Sequence, residues 1–104
     1  VDEYAYFLRG EIDLANADAI LADLRARAAV QSGPLVVDCM GLEFIDASGL
    51  RAFVIADNEL REQERRLLLV NAMPMLARVL RVCGLTDLLI PTNASAAVRV
   101  NEVV

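Results

Sequence analysis

Hydrophobic residues along this chain switch between short, nearly unbroken runs and stripes spaced three or four apart. The first pattern belongs to strands and the second to helices. Residues 4–9 interleave aromatic and aliphatic side chains closely enough for a strand, closed by Gly10. Asp13 and Asn16 each stand where a side chain could cap the next helix, and the sequence does not choose between them. Over 14–30 the positions Leu14, Ala17, Ile20, Leu21, Leu24 and Ala28 predict a helix with one buried stripe. Ser32-Gly33-Pro34 ends it, and the apolar run over 35–39 predicts a strand covered on both faces. A short acidic loop is expected next, then a second helix over 48–65. The first half of that helix is apolar almost all round (Leu50, Ala52, Phe53, Val54, Ile55, Ala56) and its second half is charged. Residues 67–70 read as a buried strand, and Pro74 suits the first position of a third helix. Leu76, Val79, Leu80 and Cys83 form that helix's inner stripe, with Gly84 as its stop. A last short strand over 88–90 and a final helix over 94–102 complete the pattern, with no repeat or linker.

Strand–helix alternation from residue 35 onward requires crossover connections, hence a mainly parallel sheet with right-handed βαβ units. The early strand is expected to join the same sheet. The fold class is α/β, and 104 residues make one domain with a single core.

Composition narrows the function. Hydrophobic residues make up 57% of the chain, too many for disorder. No apolar run approaches the ~20 residues of a membrane-spanning helix, and no basic-then-apolar leader opens the chain. A cytoplasmic domain without a membrane role is therefore expected. Net charge is −5, and all ten basic residues are arginines scattered among acids, such as Arg61, Arg65 and Arg66 beside Glu59, Glu62 and Glu64. That leaves no clustered positive footprint for nucleic acid. There is no histidine, which removes the usual general base and the commonest metal ligand. Cys39 and Cys83 both lie among apolar neighbours, so two buried, reduced thiols are expected.

The most informative stretch is 38–54, where a strand leads through acidic residues to Ser48 at the head of the apolar helix. Ser48 could simply cap the free N–H groups of the first turn. Those same N–H groups and the helix dipole also form a site for a phosphate, so a reversible modification of Ser48 is the functional alternative. Asp46 and Asp13 are either turn residues or carboxylates close to that hydroxyl. Asp38 ends a strand, at the edge where open α/β sheets place ligands. Ala52, Ile55 and Ala56 would lie off the stripe of Leu50, Phe53 and Val54; either loops cover them or they form a docking patch. Phosphate-loop, dinucleotide and nucleophile-elbow patterns do not occur, and a Ser–His dyad cannot be built. Neither enzyme activity nor a cofactor or metal is indicated.

Three segments carry a family resemblance: Gly10-Glu11-Ile12-Asp13; Val36-Val37-Asp38 through Phe44-Ile45-Asp46-Ala47-Ser48-Gly49-Leu50; and Leu80-Arg81-Val82-Cys83-Gly84-Leu85. In order and interval the chain resembles STAS domains, specifically the single-domain anti-sigma factor antagonists. The resemblance implies a mostly parallel, mixed sheet flanked by about four helices, and a switch protein. Such proteins bind, when unmodified, an anti-sigma factor that is also a serine kinase, which frees the sigma factor. Phosphorylation of the serine before glycine, here Ser48, dissociates the complex, and a serine phosphatase resets it. The resemblance places Asp13 near the serine. It implicates Asp13 in the kinase interaction; together with the residues singled out from the pattern, with Gly49 keeping the approach open, the expected partner-binding residues are Asp13, Asp46, Gly49, Arg51, Ala52 and Ile55. Two departures stand out. Many members carry two serines where this chain has Ala47-Ser48, so the acceptor here is unambiguous. Arg51 replaces a commonly small residue and could change partner choice or set a guanidinium near the phosphate. The alternative is a non-switching STAS scaffold, or a subunit of a stress-signalling or lipid-transport complex, in which Ser48 is only a cap. The apolar helix face would serve a homodimer as readily as a heterocomplex.

Overall fold

The computed structural model describes residues 5–89, in the order β1 (Tyr6–Ile12), α1 (Ala17–Val30), β2 (Leu35–Ile45), α2 (Ala47–Arg61), β3 (Leu67–Val70) and α3 (Pro74–Val82), then a 3-10 turn (Thr86–Leu88). The three strands form one sheet in the order β1-β2-β3, and both pairings are parallel. Leu89 adds a parallel bridge to Leu69. Two successive crossovers of one hand carry α1 and α2 to the same face of the sheet, and the two helices pack side by side. The core between helices and sheet holds Leu24 of α1, Phe53 of α2 and Leu35, Val37, Leu67 and Leu69 of the strands, all fully buried. The β2–β3 register sets Leu35 against Leu67 and Val37 against Leu69, so the apolar runs at 35–39 and 67–70 meet as one floor.

The sheet among the described residues is parallel throughout, not mixed, and three α-helices are present; the helix expected over 94–102 lies outside the described residues. Of the strand expected over 88–90, Leu88 belongs to the 3-10 turn and Leu89 makes the bridge, while Ile90 lies outside the described residues.

Two strands run longer than the pattern predicts. β1 passes through Gly10, whose φ of 76° is open to glycine, and continues to Ile12. β2 extends to Ile45, through the stretch expected to be an acidic loop. Between the pairs Phe7↔Asp38 and Ile12↔Ile45, β2 carries two more residues than β1, taken up as two bulges. Each bulge breaks the alternation of inward and outward residues, and that is what hides the strand in the sequence.

Helix boundaries differ from the expected ones for local reasons. Residues 13–16 form a turn before α1, held by side chains. The Asn16 amide donates to the Glu11 carbonyl (2.8 Å) and its oxygen accepts from Asp13 N–H (2.9 Å), while Asp13 Oδ1 accepts from Ala15 N–H (3.0 Å). Asn16 is the residue before the helix, but its side chain stabilises this turn and does not cap α1. Leu14 consequently stands outside the predicted stripe and is 81% exposed. α2 stops at Arg61, short of residue 65, and Glu64 adopts a left-handed φ of 60°. The Arg65 guanidinium then donates to the carbonyls of Ala28, Gln31 and Gly33, satisfying acceptors around the C-terminal end of α1. In α3, Leu76 and Leu80 are buried and Val79 half-buried, whereas Cys83 ends the helix exposed. The two thiols are free as expected, but only Cys39 is buried. Burial and the neighbouring Asp38 carboxylate push the Cys39 thiol up to about 12.

Candidate functional site

β1 and β2 end side by side. Ile12 pairs with Ile45, and Asp46 N–H donates to the Ile12 carbonyl (3.1 Å), so Asp13 and Asp46 follow adjacent strands at the carboxyl edge of the sheet. This is the edge at which parallel α/β sheets present ligands. From it α2 begins, and its cap is Asp46, not Ser48. Asp46 Oδ1 accepts from the N–H groups of Ser48 (2.8 Å) and Gly49 (3.2 Å). Ser48 is therefore the second residue of the helix. Among the described residues no hydrogen bond engages its hydroxyl. A half-buried hydroxyl without a structural task is chemically available.

Ser48 lines a small depression of about 80 Å³ between α1 and α2, together with Leu14, Asp18, Leu21, Arg51, Ala52 and Ile55. Arg51 and Leu14 are exposed, and Ile55 is half-buried. Gly49 and Ala52 are both buried, Ala52 still reaching the wall of the depression. A Cβ on Gly49 would come within 2.6 Å of Ile45 Cγ1 and 2.7 Å of Ile12 Cγ2. Its missing side chain lets the head of α2 rest on the strand ends; it does not open a path for a partner. Ala52 and Ala56, which the helical spacing sets off the buried stripe, are covered because α1 packs along α2. Small side chains there let the helices approach, so the apolar girth of α2 is spent on two walls, sheet and helix. Leu14, Asp18 and Leu21 are not legible as site residues in the sequence. No pattern marks which residues of α1 face Ser48; that depends on how the helices pack.

Asp38 has a structural role. It is buried, and it accepts from Met40 N–H (2.9 Å) and from the Asn71 amide (3.1 Å), bracing a turn in which Asn71 takes a φ of 57°. Asp57, at the other end of α2, is not singled out by the sequence. It is buried, and it accepts from Leu67 N–H (2.9 Å), Arg66 Nε (3.2 Å) and Arg61 Nε (2.9 Å). Asp87 draws Arg61 and Arg66 from the other side. This cluster ties α2 to β3 and to the 3-10 turn.

A larger cleft of about 410 Å³ lies between the C-terminal halves of α1 and α2, over Leu24, Ala28, Leu35, Ala56 and Leu60. Its charged groups are already engaged: Arg25 pairs with Glu59, and Arg65 with backbone carbonyls. Size alone does not make it a site, and the Ser48 depression is chemically the better candidate. Among the described residues no group of three metal-binding side chains occurs, and no helix is long and apolar enough to cross a membrane.

A sheet-edge serine at the head of a helix, on this crossover fold, is the arrangement of a STAS domain. The STAS domain family model matches residues 2–98, and the chain belongs to that family. Among curated relatives, the anti-sigma-B factor antagonist of Listeria monocytogenes is 27% identical over 101 residues, covering 97% of this chain and 89% of that protein. The structure is also similar to that of the anti-sigma factor antagonist SpoIIAA in its unphosphorylated form, with a TM-score of 0.73 and 25% identity over 94% of this chain and 87% of the other. It is similar to the Bacillus cell fate determinant SpoIIAA in its phosphorylated form, with a TM-score of 0.66 and 25% identity over 91% of this chain and 87% of that one.

Proposed function

We propose that this protein is an anti-sigma factor antagonist whose switch is Ser48. In its unmodified form it binds an anti-sigma factor that is also a serine kinase, and the sigma factor is released. The kinase then transfers the γ-phosphoryl group of ATP. The Ser48 Oγ–P bond forms, the bond between the γ-phosphorus and the bridging oxygen breaks, ADP leaves, and the hydroxyl proton passes to a base on the kinase. A serine phosphatase reverses the state with water, yielding inorganic phosphate. These steps suit a cytoplasmic regulator without catalytic groups of its own.

One observation carries this reading. The helix cap is supplied by Asp46, which leaves the Ser48 hydroxyl without a partner among the described residues, on a surface shared with exposed Leu14 and half-buried Ile55. A phosphate there adds about −1.5 to −2 charges among Asp18, Asp46 and Asp13, at the rim of an apolar docking face. Any complex that buries it must desolvate a dianion beside carboxylates. Two relatives point the same way, one named an anti-sigma-B factor antagonist and one described in phosphorylated and unphosphorylated forms.

Incubation with ATP and a candidate partner kinase, followed by intact-mass measurement, should add one phosphate to the native chain and none to Ser48→Ala. Ser48→Ala should bind the kinase and resist release. Ser48→Asp should bind at least about a hundredfold more weakly, a loss on the order of 3 kcal/mol. Equal binding of all three forms would place the gate elsewhere. A chain that no partner kinase phosphorylates would instead be a non-switching scaffold.

A further inference from the structure

The helix head cannot serve as the phosphate's main anion site, because Asp46 already occupies two of its free donors, the N–H groups of Ser48 and Gly49. Other donors must balance a charge on Ser48. Among the described residues that line the depression, Arg51 alone is cationic. It stands three residues after Ser48, so the two side chains lie on one face of α2, with Cβ atoms about 5–6 Å apart. Arg51 makes no ion pair among the described residues, although Asp18 lines the same depression. Four of the chain's arginines contrast with it. Arg25, Arg61 and Arg66 are in salt bridges and Arg65 is bound to carbonyls, each with a structural task. Arg51 is exposed and uncommitted.

Resting on the reading of Ser48 as the modified residue, we infer that Arg51 is the internal counter-ion of the phosphorylated Ser48 side chain. Its planar fork suits two oxygens of a phosphate. The pair holds the dianion down on α2, against the opposing field of Asp18 on α1, Asp46 before α2 and Asp13 after β1. It also removes Arg51 from the docking face as a free cation, so modification withdraws a positive contact as well as adding a negative one.

The test places phosphoserine at position 48 by genetic encoding, so that it needs no kinase, and follows the phosphate's second ionisation by 31P NMR. Arg51→Gln should raise the midpoint by about 0.5 pH unit, the size of a partly exposed ion pair. Arg51→Lys should raise it by less, because a point charge keeps attraction without the fork. Arg78→Gln, which removes an exposed arginine from α3, should leave it in place. Equal midpoints for the native and Arg51→Gln proteins would overturn the inference, as would an equal shift in Arg78→Gln. Neither result touches the Ser48 reading. That reading fails separately, if the native protein and its Ser48-phosphorylated form bind a partner anti-sigma factor equally well.

Discussion

The two ends of α2 are built on opposite terms. At the C-terminal end, buried Asp57 has its carboxylate filled by a backbone N–H and two guanidinium groups, and Asp87 holds both arginines from outside. At the N-terminal end, Asp46 does the capping, while Ser48 and Arg51 sit side by side on the surface with no side-chain partner among the described residues. Both ends are rich in polar groups, so charge density does not separate scaffold from site. Satisfaction does. Where every donor and acceptor is matched, the group stabilises; where a hydroxyl and a cation are left over beside a cap that does not need them, chemistry can be added without unfolding the domain.

Mutations at the two ends should differ accordingly. The largest effect is expected from Asp57→Ala, which strands the buried Leu67 N–H and loosens both arginines. It should cost about 3 kcal/mol in urea unfolding. Gly49→Ala should cost about 1–3 kcal/mol by the same measurement, because its Cβ meets the Ile45 and Ile12 side chains at 2.6 and 2.7 Å. A neutral outcome would mean that the head of α2 moves freely over the strand ends. Asp46→Ala should lose about 1 kcal/mol as a cap. Ser48→Ala should change stability by less than about 0.5 kcal/mol. If Ser48→Ala proved as destabilising as Asp46→Ala, the hydroxyl would have a structural task after all. The thiols make the subtlest contrast. At pH 8, iodoacetamide should modify exposed Cys83 in the folded protein and reach Cys39 only after denaturation. Burial and Asp38 push the Cys39 thiol up to about 12, which suppresses its thiolate.

Much of this is legible in order along the chain. The run over 67–70, Pro74 at the head of α3 and Gly84 beyond its end, with a φ of 74°, stand where local preferences put them. Each depends on a residue and its immediate neighbours: a proline without an N–H, a glycine free to turn left-handed, an apolar run too short for a helix. The strand through 40–45 escapes the pattern because bulges disturb its period. Leu14 fits the spacing of a buried stripe yet is exposed, because Asn16 folds the preceding residues into a turn. At the site, Ser48 can be found from its position before a helix, but its role as cap cannot be decided, since Asp46 two residues earlier competes for the same N–H groups.

The sequence by itself determined the alternation of strands and helices, the family, and the single serine at the start of α2. Local backbone preferences and apolar spacing encode those directly. Only the tertiary structure decided that Asp46 and not Ser48 is the cap, that Gly49 and Ala52 are buried, that Asp57 is a buried tie, and that Asp18 of α1 shares a depression with Ser48. Those outcomes depend on which surfaces α1, α2 and the strand ends turn toward one another. The contacts of α1, the strand ends and β3 with α2 join residues far apart in the chain, and no local pattern records them.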